Sequence, residues 1–260
     1  MRRSRFAVAL ALALALPLTL AGGRILPAVA FGQPTADRCE VPAELLNLGA
    51  PLPRTAKLLR SGEPLTIVAF GSSSTFGTGA SDPSLSYPSR LEGELRQRFP
   101  AASLRVLNRG VGGDTEKTML ERIDIDVLSE KPDLVIWQVG ANAVLRGDPT
   151  RADAVLMREG VLRLKASGAD LMLMDLQYAP ALMLRPRHKD MLRVTAHLAR
   201  TENVALFRRF AVMRSWAEEA GVPLKSILAA DHLHMNDRSY GCLGGLVADS
   251  IAAATGGLRR

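Results

Sequence analysis

Five short apolar runs punctuate this chain, and each gives way at once to small or polar residues: Leu65–Phe70, Ser103–Leu107, Leu134–Val139, Leu171–Leu176 and Val204–Phe207. Runs of this length that are apolar on both faces, rather than alternating, read as buried strands of a parallel sheet. Between them, apolar residues recur at helical spacing. Leu91, Leu95 and Phe99 follow Pro88, a residue suited to the first turn of a helix, and further helices are expected over about 115–129, 152–166, 189–202, 210–220 and 239–254. Regular alternation of strand and helix predicts an α/β domain, a parallel sheet with helices on both faces, over residues 65–260. The Pro-rich stretch 31–64, with short helical patches at 43–48 and 53–59, reads as an N-terminal arm packed on that domain.

The polar breaks carry the candidate chemistry. In open α/β sheets ligands bind at the carboxyl edge of the strands, and these breaks lie there. The first is Gly71-Ser72-Ser73-Ser74-Thr75-Phe76-Gly77, a hydroxyl-rich turn with a candidate nucleophile. The second, Asn108 to Thr115, holds Gly110, Gly112 and Gly113, which permit left-handed turns and let main-chain N–H groups face a ligand. The third presents Asn142, and the fourth, Gln177-Tyr178, is a candidate pocket lining. A late polar loop carries Asp231 and His234. A serine hydroxyl needs a base, and His234 can serve. At three residues' spacing, Asp231 can accept the Nδ1–H bond and leave Nε2 for the serine; His232, adjacent to Asp231, is the local rival. The N–H of Ser73 or Gly113 and the Asn142 amide can supply oxyanion donors.

Composition changes the picture at the N-terminus. Arg2, Arg3 and Arg5 precede an apolar run from Phe6 to Leu16, broken by Pro17, and Ala28-Val29-Ala30 fits a small-x-small cleavage site. This is the pattern of a secretory signal over residues 1–30, predicting a periplasmic or secreted protein with no stable membrane insertion after cleavage. The net charge of +7 overstates the exported chain: residues 1–30 hold four arginines and no acid, leaving 29 basic against 26 acidic residues. Without basic–aromatic interleaving, that balance does not point to nucleic acid. In an exported protein the two cysteines, Cys39 and Cys242, can pair and tie the arm to the last helix. The Asp231–His234 pair has no further His or Cys cluster beside it to make a metal site.

The order Gly-x-Ser-x-Thr, Asn-x-Gly-x-x-Gly-Asp-Thr, Gly-x-Asn and Asp-x-x-His, over residues 71 to 234, resembles the four blocks of the SGNH (GDSL-type) hydrolases. The resemblance implies a flavodoxin-like three-layer αβα sandwich with five strands in the order 2-1-3-4-5. It implies Ser73 as nucleophile, with its own N–H, Gly113 and Asn142 as the oxyanion hole, and Asp231 and His234 completing a triad. It implies ester hydrolysis without metal or cofactor, with a small-molecule or glycan ester as substrate. Three positions depart from the pattern: Ser72 stands where the family has Asp, Ala143 where an Asp often follows the Asn, and Met235 where Pro often follows the His. With three serines in the first block, Ser72 and Ser74 remain alternatives to Ser73. The expected activity is an esterase for small acyl groups, carbohydrate O-acetyl esters included. A lysophospholipase, thioesterase or acyltransferase of the same family, or a catalytically silent glycan-binding envelope protein, are the alternatives.

Overall fold

Alternation along each strand divides its side chains between two cores, and that division builds the sheet. β1 (Leu65–Gly71) sends Leu65, Ile67 and Ala69 to one side and Val68 and Phe70 to the other. β3 (Leu134–Gln138) does the same with Leu134 and Ile136 against Val135 and Trp137. With β2 (Leu104–Gly110), β4 (Asp170–Met174) and β5 (Ala205–Phe207), these form one parallel sheet in the order β2-β1-β3-β4-β5. The expected 2-1-3-4-5 topology is therefore observed. This computed structural model describes residues 39–148 and 150–256, all within a unit spanning 36–260. The expected signal segment 1–30 and the arm up to residue 38 lie outside the described residues.

Ten α-helices complete the described chain: α1 (Pro53–Ser61), α2 (Ser73–Phe76), α3 (Tyr87–Arg98), α4 (Glu116–Asp126), α5 (Ala141–Arg146), α6 (Thr150–Ala166), α7 (Pro180–Met183), α8 (His188–Thr201), α9 (Arg209–Arg214) and α10 (Asp237–Ala254). Leu58 of α1, Leu91 and Leu95 of α3, Val212 of α9 and Leu243, Val247 and Ile251 of α10 bury against the Leu65/Ile67 face. Met119 and Ile123 of α4, Met157 and Val161 of α6 and Met191 of α8 cover the Val68/Phe70 face. The result is three layers, helix–sheet–helix. Among the described residues no helix is long and apolar enough to cross a membrane.

Two local differences from expectation bear on the site. β2 does not stop at Leu107 but continues through Asn108, Arg109 and Gly110, which pair with Ala69, Phe70 and Gly71. An edge strand is half solvated, so polar residues sit in it at little cost. Glycine at 110 has a steric reason: a Cβ there would lie 2.0 Å from the Phe76 nitrogen, so α2 packs directly on the strand. The Ser73 and Asn142 breaks are not loops but the short helices α2 and α5, of four and six residues, too short to show periodicity.

The described part of the arm is fastened at several points. The Asp170 carboxylate accepts the α1 amides of Thr55 (2.7 Å) and Arg54 (3.3 Å). The Leu48 carbonyl accepts the N–H of Leu206 at 2.9 Å, occupying part of the β5 edge. Cys39 and Cys242 form a disulfide with Cα atoms 5.2 Å apart, joining the arm to α10. Because this link spans 203 positions of sequence, its loss should lower the unfolding free energy in urea by about 2–4 kcal/mol. Alkylation without reductant should find no free thiol; two reactive thiols would rule out the bridge.

Candidate active site

The end of β1 is bent around a glutamine. Oε1 of Gln138, the last residue of β3, accepts the N–H and the hydroxyl of Ser72 (both 2.9 Å) and the Thr75 hydroxyl (3.4 Å). Ser72 is thus buried and committed to Gln138, while the Ser74 hydroxyl is buried against the Tyr240 phenol. Ser73, at the first position of α2, is the half-buried member of the three. Its N–H has no partner among the described residues, as expected of the first amide of a helix. Phe76, one turn later, is exposed, as is Val111 on the loop after β2.

The base arrives from the other end of the sequence. Nε2 of His234 lies 2.7 Å from Ser73 Oγ, and Nδ1 lies 2.5 Å from Asp231 Oδ2. With Nδ1–H donating to the carboxylate, Nε2 is free to accept the serine proton. Asp231 is placed by its own turn, where Oδ1 accepts the N–H groups of Leu233 (3.0 Å) and His234 (2.9 Å). Burial pushes the Asp231 carboxyl up, but the bonds from the His234 ring and those two amides outweigh it and hold it below the usual carboxylate range. His232 is exposed, in the left-handed region at φ 55°, outside the pairing. The first turns of α10 clamp this loop to the serine side: the Asp237 carboxylate accepts the N–H and hydroxyl of Ser81 (2.7 and 2.6 Å), and the Tyr240 hydroxyl donates to the Thr78 carbonyl (2.7 Å).

The segments that carry Gly113 and Asn142 are bonded to each other. The Asn142 amide donates one hydrogen to the Asp114 carbonyl (2.8 Å), leaving its second free. The Gly113 N–H, in a left-handed turn at φ 81°, has no partner among the described residues. Arg146 Nη2 donates to the Gly113 carbonyl (2.7 Å), and the buried Glu116 carboxyl accepts the Gly140 N–H (2.5 Å). Beneath them Arg122 gathers the strand ends. It donates to the carbonyls of Gly71 and Arg109 (both 3.0 Å), to Asp114 (2.6 Å) and to Asp126 (2.7 Å), and lies 4.5 Å above the Phe70 ring. Gln138, Arg122, Arg146 and Glu116 were not anticipated. The one visible signal was Gln138, a lone polar residue closing an otherwise apolar strand.

One expectation is corrected. Gln177 does not line an open pocket: it is 1% exposed, with its carbonyl held by the buried Arg209 (2.8 Å) and its amide 3.5 Å from the Leu233 carbonyl. A polar side chain leaving an apolar strand has gone inward because Arg209 needs an acceptor there. Tyr178 is half-buried, its hydroxyl donating to Glu218 (2.7 Å) and its ring edge-on to Phe210. His188 is buried nearby, with Nδ1 2.7 Å from the Arg185 carbonyl and its ring stacked on Phe210. Hollows of about 630 and 690 Å³ lie elsewhere and include none of Ser73, Gly113, Asn142, Asp231 and His234.

Residues 38–256 match the model of the non-GDSL lipase-like family. The chain belongs to that family. Membership and strand order agree with the resemblance to SGNH hydrolases, and the name suits a first block that reads Gly-Ser-Ser-Ser. Over 76 residues this family member is 34% identical to an acetylxylan esterase of Geobacillus stearothermophilus, covering 29% of this chain and 32% of that protein. Over 95 residues it is 30% identical to an arylesterase of Vibrio mimicus, covering 36% and 46%. The matches therefore span less than half the length of these curated relatives. In fold it resembles a two-domain esterase (CEX) active on acetylated mannans, solved with mannopentaose: TM-score 0.67, 22% identity, over 84% of this chain and 58% of that one. Against TesA the TM-score is 0.61 at 25% identity, over 73% and 99%.

The lipase-like fold buries three carboxyls around this edge. Burial pushes Glu116 up to about 7, Asp153 to about 6 and Asp175 to about 7. For each, the folded state binds the proton more tightly than the unfolded chain, so the stabilising contribution is complete below the ordinary carboxylate range and is lost as pH rises through the folded value. Asp175, with an ordinary value of 3.8, spends that contribution between about 4 and about 7. Asp175→Asn keeps an acceptor for the Phe210 N–H, which Oδ1 now binds at 2.9 Å. Its urea-unfolding free energy should therefore fall less than wild type's between pH 4.5 and 7.5; an equal fall would show that Asp175 does not titrate there.

Proposed function

We propose that this protein is an exported serine esterase that hydrolyses carboxylic esters of small acyl groups, carbohydrate O-acetyl esters foremost, through an acyl-serine intermediate. The observation that carries the reading is the continuous relay Asp231–His234–Ser73, with hydrogen-bond contacts of 2.5 and 2.7 Å. Ser73 Oγ attacks the ester carbonyl as its proton passes to His234 Nε2, and Asp231 stabilises the imidazolium. The oxyanion rests on the N–H groups of Ser73 and Gly113 and the free amide hydrogen of Asn142. Collapse expels the alcohol, which takes the proton from Nε2. Water then attacks the Ser73 ester, giving its proton to Nε2; the carboxylic acid leaves and Oγ recovers the proton. Support for an acetyl glycan comes from the relatives whose names specify acetylxylan and acetylated mannans. Export to the periplasm or beyond is supported by the basic–apolar–small pattern of residues 1–30 and by the Cys39–Cys242 bridge.

Ser73→Ala and His234→Ala should each lower kcat on a nitrophenyl acetate by about 10⁴-fold or more without loss of fold, and Asn142→Ala by about 10²–10³-fold. A fluorophosphonate probe should label wild type, Ser72→Ala and Ser74→Ala but not Ser73→Ala; wild-type turnover by Ser73→Ala would overturn the assignment. Acetate release from acetylated xylan or mannan, set against octanoyl esters, tests the substrate class. N-terminal sequencing of protein recovered outside the cytoplasm should begin near Phe31.

A further inference from the structure

Every polar contact between the two oxyanion-bearing segments runs through a few atoms, and one of those atoms belongs to an acid with no other stated task. The segment Gly113–Glu116 and the turn Gly140–Asn142 are clasped reciprocally. The Asn142 side chain donates to the Asp114 main chain at 2.8 Å, and the Gly140 main chain donates to the Glu116 side chain at 2.5 Å. One bond would leave a hinge; two bonds, at either end of the turn, fix both the separation and the tilt of the Asn142 amide relative to the Gly113 N–H.

Glu116 is placed for that purpose and pays a desolvation cost to stay there. It is 1% exposed at the first position of α4, its Oε2 has no partner among the described residues, and the carboxyls of Asp153 and Asp148 add repulsion. A carboxyl held in such surroundings is retained against its own solvation preference, so what it does accept matters. Its acceptor role is also hard to replace locally. Gly140 turns in the left-handed region at φ 90°, where a Cβ would strike Met191 and Leu176, so the turn is packed closely against apolar side chains rather than open to water. Ala143, buried beside Asn142, brings no polar group of its own.

We propose that Glu116 is a positioning residue for the oxyanion hole, holding Asn142 at its working distance from the Gly113 amide through the Gly140 N–H. The inference rests on the esterase reading above. It assigns to Glu116 no contact with substrate, only the placement of the group that makes one.

The test is a double-mutant cycle on a nitrophenyl acetate, with circular dichroism to monitor folding. Glu116→Ala should lower kcat by about 10–100-fold while changing KM by less than about 3-fold, since a misplaced oxyanion donor costs the transition state and not ground-state binding. Glu116→Gln keeps the carbonyl acceptor and should retain most of the rate. On an Asn142→Ala background, where there is no amide left to position, adding Glu116→Ala should cost less than about 3-fold. If Glu116→Ala does not fold, Glu116→Asp, one methylene shorter, is read in its place and should show the same loss and the same dependence on Asn142. The inference is overturned if the rate is unchanged, if the Gln variant is as slow as the Ala variant, or if the loss is undiminished without Asn142. An inactive wild type would instead strike at the esterase reading and leave a distinct signature.

Discussion

The guanidinium of Arg122 is the contact on which the geometry of this edge depends. At the carboxyl edge of the sheet the carbonyls of Gly71, the last residue of β1, and Arg109, next to last in β2, both accept from this side chain, and that of Gly71 also takes the Val111 N–H at 3.0 Å. Arginine suits the task because its fork of donors is planar and permanently charged, so it can bond two strands, the Asp114 carboxylate and Asp126 together. Its face meanwhile covers the Phe70 ring, which keeps the charge against the core without wasting apolar surface. The nucleophile's strand, its neighbour and the glycine loop thereby share one anchor.

Around that anchor, support is drawn from separate layers. Gln138 holds the serine turn from the adjacent strand, the first turns of α10 hold the histidine turn, Arg146 holds the glycine loop and Glu116 holds the Gly140 turn. Asp231 and His234 share one turn, while Ser73, Gly113 and Asn142 each come from a different segment. Ser73 and Asn142 sit in the first turns of short helices, and the loops that carry Gly113 and His234 are held by the bonds just named, which limits the ordering left for the moment of reaction.

Much of this was legible beforehand, and the reasons are local. Doubly apolar runs such as Leu134–Gln138 betray burial on both faces, and the three-residue spacing of Asp231 and His234 fits one turn. What stayed hidden depends on long-range partners. Gln138 meets Ser72 across 66 positions and Arg122 meets Gly71 across 51, and neither spacing leaves a periodic trace. The serine ambiguity was of the same kind: only the neighbours that bury Ser72 and Ser74 distinguish them from Ser73. The β2 extension was missed because glycine and asparagine signal a turn, whereas a half-solvated edge strand admits both.

One feature of the relay bears on how the molecule is made. Ser73 and His234 stand 161 positions apart, with nearly the whole sheet between them in sequence. Synthesis runs from the N-terminus, so the hydroxyl leaves the ribosome long before the imidazole does. Any nascent fragment ending short of residue 234 holds an ordinary alcohol with no general base, whatever part of the sheet has formed. The Asp231–His234–Ser73 relay on which the proposed hydrolysis rests is completed late in biosynthesis, after every strand has been supplied.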